Sequence, residues 1–205
     1  MALGLCCQWL ATNKKGKAEN ILISRALQKG RYERGLYTDE HIRDIYRSNL
    51  ENLRDVLRDK VIPGRFRVFR MSSAMFPLFD LVHDRSLYDN DVTTALFSEI
   101  GRLVIDNGIR LTTHPGQFVV LSSQREHVRI NAARELEFHG WVFDKMGLPR
   151  TPHHAINIHG GKRGETSQLI QSINTLSDAA RCRLTLENDE MCWSVNELLT
   201  VSSAT

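Results

Sequence analysis

Residues 110–120, "RLTTHPGQFVV", decide how the rest of the chain is organised. A β-branched run flanked by apolar residues has the composition of a strand. It nevertheless finishes on His114, breaks at once into Pro115-Gly116, and then offers Gln117 and Phe118. An imidazole is misplaced on a strand bound for a closed core. It is well placed where a strand opens onto a functional rim.

Outward from this stretch, strand and helix patterns alternate along the chain. "ALGLCCQ" is a short apolar strand; the apolar start has no basic residues before it, which argues against a secretion signal. Thr38 can cap a helix that places Ile42, Ile45, Tyr46, Leu50, Leu53, Val56 and Leu57 on one face at 3.6-residue spacing. Pro63-Gly64 ends that helix, and "RFRVFRM" is the second strand. Asp91 is the expected cap of "VTTALFSEIGRLVID", with Leu96, Ile100, Leu103 and Val104 inward and a stop at Asn107-Gly108. "IRLTT" is the third strand and delivers His114. A helix over residues 124–146, the strand "HAINIH", a helix over residues 165–180, the strand "RLTLEND" and a helix beginning "SVNELLTVSSA" complete the pattern.

Such repetition predicts parallel βα units in an α/β protein. No GxGxxG follows any strand, which removes support for a Rossmann dinucleotide site. What recurs instead is a metal-ligand residue type at the end of successive strands: His114, His159 and Glu187. In a (β/α)8 TIM barrel the strand ends converge on one face, where sites are assembled from several strands. A single strand-end histidine is ordinarily a hydrogen-bonded structural residue. Three ligand types in the same relative place favour a divalent ion, Zn2+, Mn2+ or a related one. His153 and His154 belong to the opposite end of their strand, and His41, His127 and His139 fall on helices. His83, in the segment after strand two, is within plausible reach of the same rim.

Composition is that of an ordinary globular protein, 41% hydrophobic and 25% charged, with no run near the about 18 apolar residues of a membrane span. The four cysteines, Cys6, Cys7, Cys182 and Cys192, form no CxxC pair and are expected to be reduced and mostly buried. The net charge of +3 is small, but Lys14, Lys15, Lys17, Arg25, Lys29, Arg31 and Arg34 are opposed over residues 14–34 only by Glu19 and Glu33. A local excess of this kind can follow a phosphate backbone, or can be a solvated loop. Beside a metal centre it makes a phosphodiester the natural substrate.

At this point the chain resembles a known family. "GLCCQW", "FRMSSAMFPLF", "HPGQF", "IHGG" and "LENDE", in this order and spacing, are similar to the UV damage endonucleases. The resemblance implies a TIM barrel of the endonuclease IV and xylose isomerase-like type, here one partial domain over residues 1–205. It implies a divalent-metal cluster, most often with Mn2+ and alternatively with Zn2+, Mg2+ or Co2+. The implied reaction is metal-dependent hydrolysis of damaged double-stranded DNA immediately 5′ of a UV photoproduct or another lesion, in excision repair. Carried over by position, His114, His159 and Glu187 become metal ligands and the catalytic set, and His83 a further ligand. Gln117 and Phe118 become the pair inserted at the lesion. Trp9 faces the lesion, and Lys162 and Arg163 contact phosphate.

The resemblance also implies three further βα units with more ligands, and none can be placed before Thr205. The expectation is a barrel truncated after about five units, where a complete one needs about 250 residues. Competing readings are an abasic-site endonuclease, a sugar-phosphate isomerase on the same barrel, and a non-catalytic damaged-DNA-binding fragment. A monomer when complete, with no membrane association, working in a bacterial cytoplasm or a eukaryotic nucleus, is the accompanying expectation.

Overall fold

The computed structural model describes residues 3–7, 9–12, 14–20, 24–159, 161, 164–188 and 192–205. Its main sheet has five strands, β1 (Gly4–Cys6), β4 (Val68–Met71), β5 (Arg110–Thr113), β6 (Ile156–Ile158) and β7 (Leu184–Leu186), in that order. The β1/β4, β5/β6 and β6/β7 pairs are parallel, as the βα repeat predicts. The chain divides into two compact units, Met1–Leu111 with Lys145–Gly147, and Thr112–Asp144 with Leu148–Thr205.

In the first unit, the basic segment is more structured than its sequence suggests. Strands β2 (Leu10–Thr12) and β3 (Ala18–Asn20) pair antiparallel, so the apolar start is two strands rather than one. The short helix α1 (Lys29–Glu33) follows, and then α2 (Asp39–Val56). Thr38 caps α2 by accepting from the His41 N–H at 3.1 Å, with Asp39 and Glu40 favourably placed in the first turn. Every apolar residue assigned to its inner face is buried. Asn49 is buried among them because its side chain is saturated: it accepts from the Arg25 N–H and donates to the carbonyls of Arg25 and Met75. One π turn, Leu57–Val61, carries the helix to its end. In α3 (Asp91–Asp106) the cap is Asn90, not Asp91, because Asn90 and Thr93 close a reciprocal capping box. Leu96, Ile100 and Val104 are buried as expected, and Leu103 is only half-buried.

The second unit contains α4 (Glu126–Lys145), α5 (Thr166–Asn174), α6 (Asp178–Arg181) and α7 (Val195–Ala204). The single helix expected over residues 165–180 is divided after Asn174. Glu137 of α4 accepts from both the backbone N–H and the hydroxyl of Ser177, which holds Ser177 extended ahead of α6. Arg183, fully buried before β7, donates to the carbonyls of Gly140, Leu148, Pro149 and Ala179 and pairs with Asp144 at 2.8 Å. These bonds tie the base of β7 to α4 and α6. Among the described residues no helix is long and apolar enough to cross a membrane.

None of the four cysteines is in a disulfide, but they are not buried as expected: Cys6 is exposed and Cys7, Cys182 and Cys192 are half-covered. Cys6 and Cys7 lie on or beside β1, and Cys182 shortly precedes β7, the two edge strands of the sheet. Edge positions lack a covering neighbour on one side.

Candidate metal centre

His114 follows the last residue of β5, His159 the last of β6 and Glu187 the last of β7. Side chains alternate between the faces of a strand, so each of these residues shares a face with the residue two before it. Thr113 and Ile158 are buried on the other face, and the ligand types emerge on the rim. Register sets His159 beside Glu187, since Ile158 pairs with Leu186 and the Glu187 N–H donates to the Ile158 carbonyl at 2.9 Å. Thr113 pairs with Ile156, so His114 is level with Asn157, two residues before His159.

The three side chains converge. His114 Nε2 lies 2.8 Å from Glu187 Oε1, and His159 Nδ1 lies 3.0 Å from Glu187 Oε2. The imidazole centroids are 4.8 Å apart. The Pro115 carbonyl, 2.9 Å from His114 Nδ1, can only accept, so Nδ1 carries a hydrogen and Nε2 is the atom turned toward the cluster. His114 is largely covered, whereas His159 and Glu187 are partly open to solvent.

One donor atom from each residue lies within 4.8 Å of the others. An ion about 2.1 Å from each of three ligands holds neighbouring donors about 3.0–3.4 Å apart. Two imidazole nitrogens and a carboxylate oxygen are the right donor types, and donors as much as 4.8 Å apart meet that requirement after closing by up to about 1.4–1.8 Å. The group can therefore hold a divalent ion.

Two residues that the sequence reading passed over complete the cluster. Asn157 Nδ2 donates to Glu187 Oε1 at 2.6 Å, and the Thr185 hydroxyl donates to Asn157 Oδ1 at 2.8 Å. The available signal was a polar residue two positions before a ligand, inside an otherwise apolar strand.

The "HPGQF" loop places its last two residues at the tip of a turn. The Val119 N–H donates to the Gly116 carbonyl at 3.0 Å, so Gln117 and Phe118 are the central pair. Phe118 is 83% exposed, while Val119 and Leu121 are buried. The base of the loop is fastened: the Ser172 hydroxyl donates to the Leu121 carbonyl at 2.8 Å. Gly161, at φ +100°, packs where a Cβ would come within 2.5 Å of Val120 Cγ1. A rigid base thus carries an exposed amide and aromatic ring.

The other candidates are placed less centrally. His83 is an exposed residue of the first unit, between β4 and α3, and the converging group among the described residues comprises His114, His159 and Glu187. Trp9 is half-buried and meets Phe66 edge-on, with centroids 5.9 Å apart. Lys162 and Arg163 lie outside the described residues. His153 and His154 occupy a 3-10 turn before β6, away from its ligand-bearing end, and His139 is a buried residue of α4.

Comparison with known proteins agrees with this architecture. The chain is 36% identical over 210 residues to the UV DNA damage endonuclease of Deinococcus radiodurans, covering 99% of this chain and 65% of that protein. The crystal structure of SacUVDE matches with a TM-score of 0.78 at 26% identity, over 99% of this chain and 66% of that one. The D-psicose 3-epimerase structure determined in the presence of D-fructose matches with a TM-score of 0.51 at 17% identity, over 74% of this chain and 54% of that one, a likeness of fold alone. The α/β fold with a five-stranded parallel sheet is thus the one expected of consecutive units of a TIM barrel. The chain spans just under two thirds of the Deinococcus relative's length. A model of the family described as UV-endonuclease UvdE matches residues 1–205, and the chain belongs to that family.

Proposed function

We propose that this chain carries metal ligands and the lesion-reading loop of a DNA endonuclease that hydrolyses the backbone 5′ of UV photoproducts. The observation that carries the proposal is the convergence of His114, His159 and Glu187 at three strand ends, with an exposed Gln117-Phe118 turn just beyond His114. The names of the Deinococcus relative and of the matching family support the same reading. In it, residues 1–205 are one partial barrel domain of a protein that acts on damaged duplex, in a bacterial cytoplasm or a nucleus, and that is a monomer when complete.

His114 Nε2, His159 Nδ1 and the Glu187 carboxylate would hold the ion, Mn2+ by preference, with His83 as the further ligand that the family resemblance implies. A divalent ion held there supplies Lewis acidity, drawing charge from a phosphate oxygen and lowering the pKa of water. The Pro115 carbonyl keeps His114 in the ligating tautomer. Phe118 stacks in the space left by an extruded nucleotide, and Gln117 satisfies the exposed base edges. Trp9 faces the lesion. Lys14, Lys15 and Lys17, all exposed around the turn of the β2–β3 hairpin, follow the phosphate backbone with Lys162 and Arg163.

The test is manganese-dependent incision of irradiated, abasic and undamaged duplexes, together with the metal content of His114→Ala, His159→Ala and Glu187→Ala. In the complete enzyme the expected result is nicking 5′ of photoproducts, lost with bound metal in each variant while far-ultraviolet circular dichroism is retained. Cutting of abasic duplex alone would overturn the photoproduct reading. Full metal occupancy in all three variants would remove them from the ion.

A further inference from the structure

We infer that Asn157 and Thr185 form a two-step relay that fixes the Glu187 carboxylate for the divalent ion, an inference that rests on the metal reading above. Asn is poorly suited to the centre of a strand, and its neighbours Ile156 and Ile158 are both buried. Its position is explained by what it touches. Asn157 and Thr185 are direct partners in the β6/β7 register, on the same face as His159 and Glu187.

The carboxylate oxygen can only accept, so the amide NH2 of Asn157 must face Glu187 at 2.6 Å, which leaves the amide oxygen facing Thr185. The Thr185 hydroxyl donates to that oxygen at 2.8 Å and closes the sequence. Without the hydroxyl, nothing on that side favours the present amide orientation over its flip, which would set a carbonyl against a carboxylate. The relay occupies Oε1, which His114 also approaches, and leaves Oε2, 3.0 Å from His159 Nδ1, the less engaged oxygen. Asn157 is therefore a positioning residue acting through Glu187, and Thr185 one acting through Asn157. Neither touches the ion. Hydrogen-bonded partners of this kind typically affect metal affinity about 10–100-fold.

The experiment is titration of the metal-free protein with Mn2+, followed by the paramagnetic resonance signal of the free ion, so that no turnover is required. Asn157→Leu should weaken binding about 10–100-fold. Thr185→Val should weaken it less, Thr185→Ser should bind as the parent does, and Asn157→Leu/Thr185→Val should be no weaker than Asn157→Leu alone. His159→Ala serves as the control for the metal reading. Parent-like affinity in Asn157→Leu, with binding lost in His159→Ala, overturns the relay and leaves the metal centre standing. Retained binding in His159→Ala overturns the metal reading and the relay with it. Additive losses for the two substitutions, or a Thr185→Ser that fails like Thr185→Val, also overturn it. Should Asn157→Leu not fold, the Val and Ser variants at position 185 decide the matter, since Thr185→Val keeps the volume without the hydroxyl and Thr185→Ser keeps the hydroxyl without the methyl.

Discussion

Phe118→Ala separates function from folding because of where the ring sits. At 83% exposure the side chain buries little area, and its removal should change stability by no more than about 0.5 kcal/mol. The same ring, stacked against a base at a lesion, is worth about 1–3 kcal/mol. In affinity this is about 5- to 150-fold, at a factor of ten for each 1.4 kcal/mol. The neighbouring Val119 should behave in the opposite way: it is buried, so Val119→Ala should cost on the order of 2 kcal/mol of stability with the ring still presented. The assay is fluorescence anisotropy with two labelled duplexes at fixed salt, one carrying a single photoproduct, alongside urea unfolding of each variant. The expected outcome is a loss of damaged-over-undamaged preference in Phe118→Ala with an unshifted urea midpoint. Gln117→Ala should act on the same step, so the double variant should fall short of the sum of the two. Unchanged lesion preference in both single variants would refute the probe role, and a large drop in the stability of Phe118→Ala would refute the exposed-tip geometry.

Replacing Lys14, Lys15 and Lys17 together with alanine should flatten the salt dependence of duplex binding, by about 0.9 in log–log slope for each phosphate that is no longer neutralised, with lesion preference intact. An unaltered slope would make the hairpin a solvated surface. Burial holds the His139 imidazole down from its ordinary 6.5 to about 4. The unfolded chain takes up this proton below pH 6.5 and the folded chain resists it, so the associated stability is fully present above pH 6.5. It is lost as pH falls toward 4, by about 3 kcal/mol. His139→Leu should remove that part of the pH dependence of the urea midpoint, and an unchanged profile would exclude His139 as its source. Arg183→Met leaves four carbonyls without this donor and Asp144 with Arg150 alone, and should cost about 1–3 kcal/mol in urea unfolding. A destabilisation under about 1 kcal/mol would mean that the carbonyls find other donors.

What could be read from the residues alone was whatever depends on local period and strand order. The inner face of α2 followed from 3.6-residue spacing, and the strand-end positions of His114, His159 and Glu187 from their common place after successive strands. The resemblance carried by "HPGQF" and "LEND" named the family. The β2–β3 hairpin was not legible because three-residue strands on either side of a lysine-rich turn carry almost no period-2 signal. The cap of α3 moved by one residue because Asn90 and Asp91 both have capping side chains, and only the box with Thr93 distinguishes them. The break before α6 depends on Glu137, far along the chain and on another helix. The Asn157–Thr185 relay exists only because β6 and β7 pair in one register; a slip of one residue would turn Thr185 to the opposite face. Sequence by itself therefore determined the βα repeat and the identity of the ligand types, because periodicity and strand ends are local properties. Tertiary structure alone decided that His114, His159 and Glu187 converge, which polar neighbours hold Glu187, and that Phe118 faces solvent while Val119 goes inward, because those outcomes depend on strand pairing and packing between residues distant in the chain.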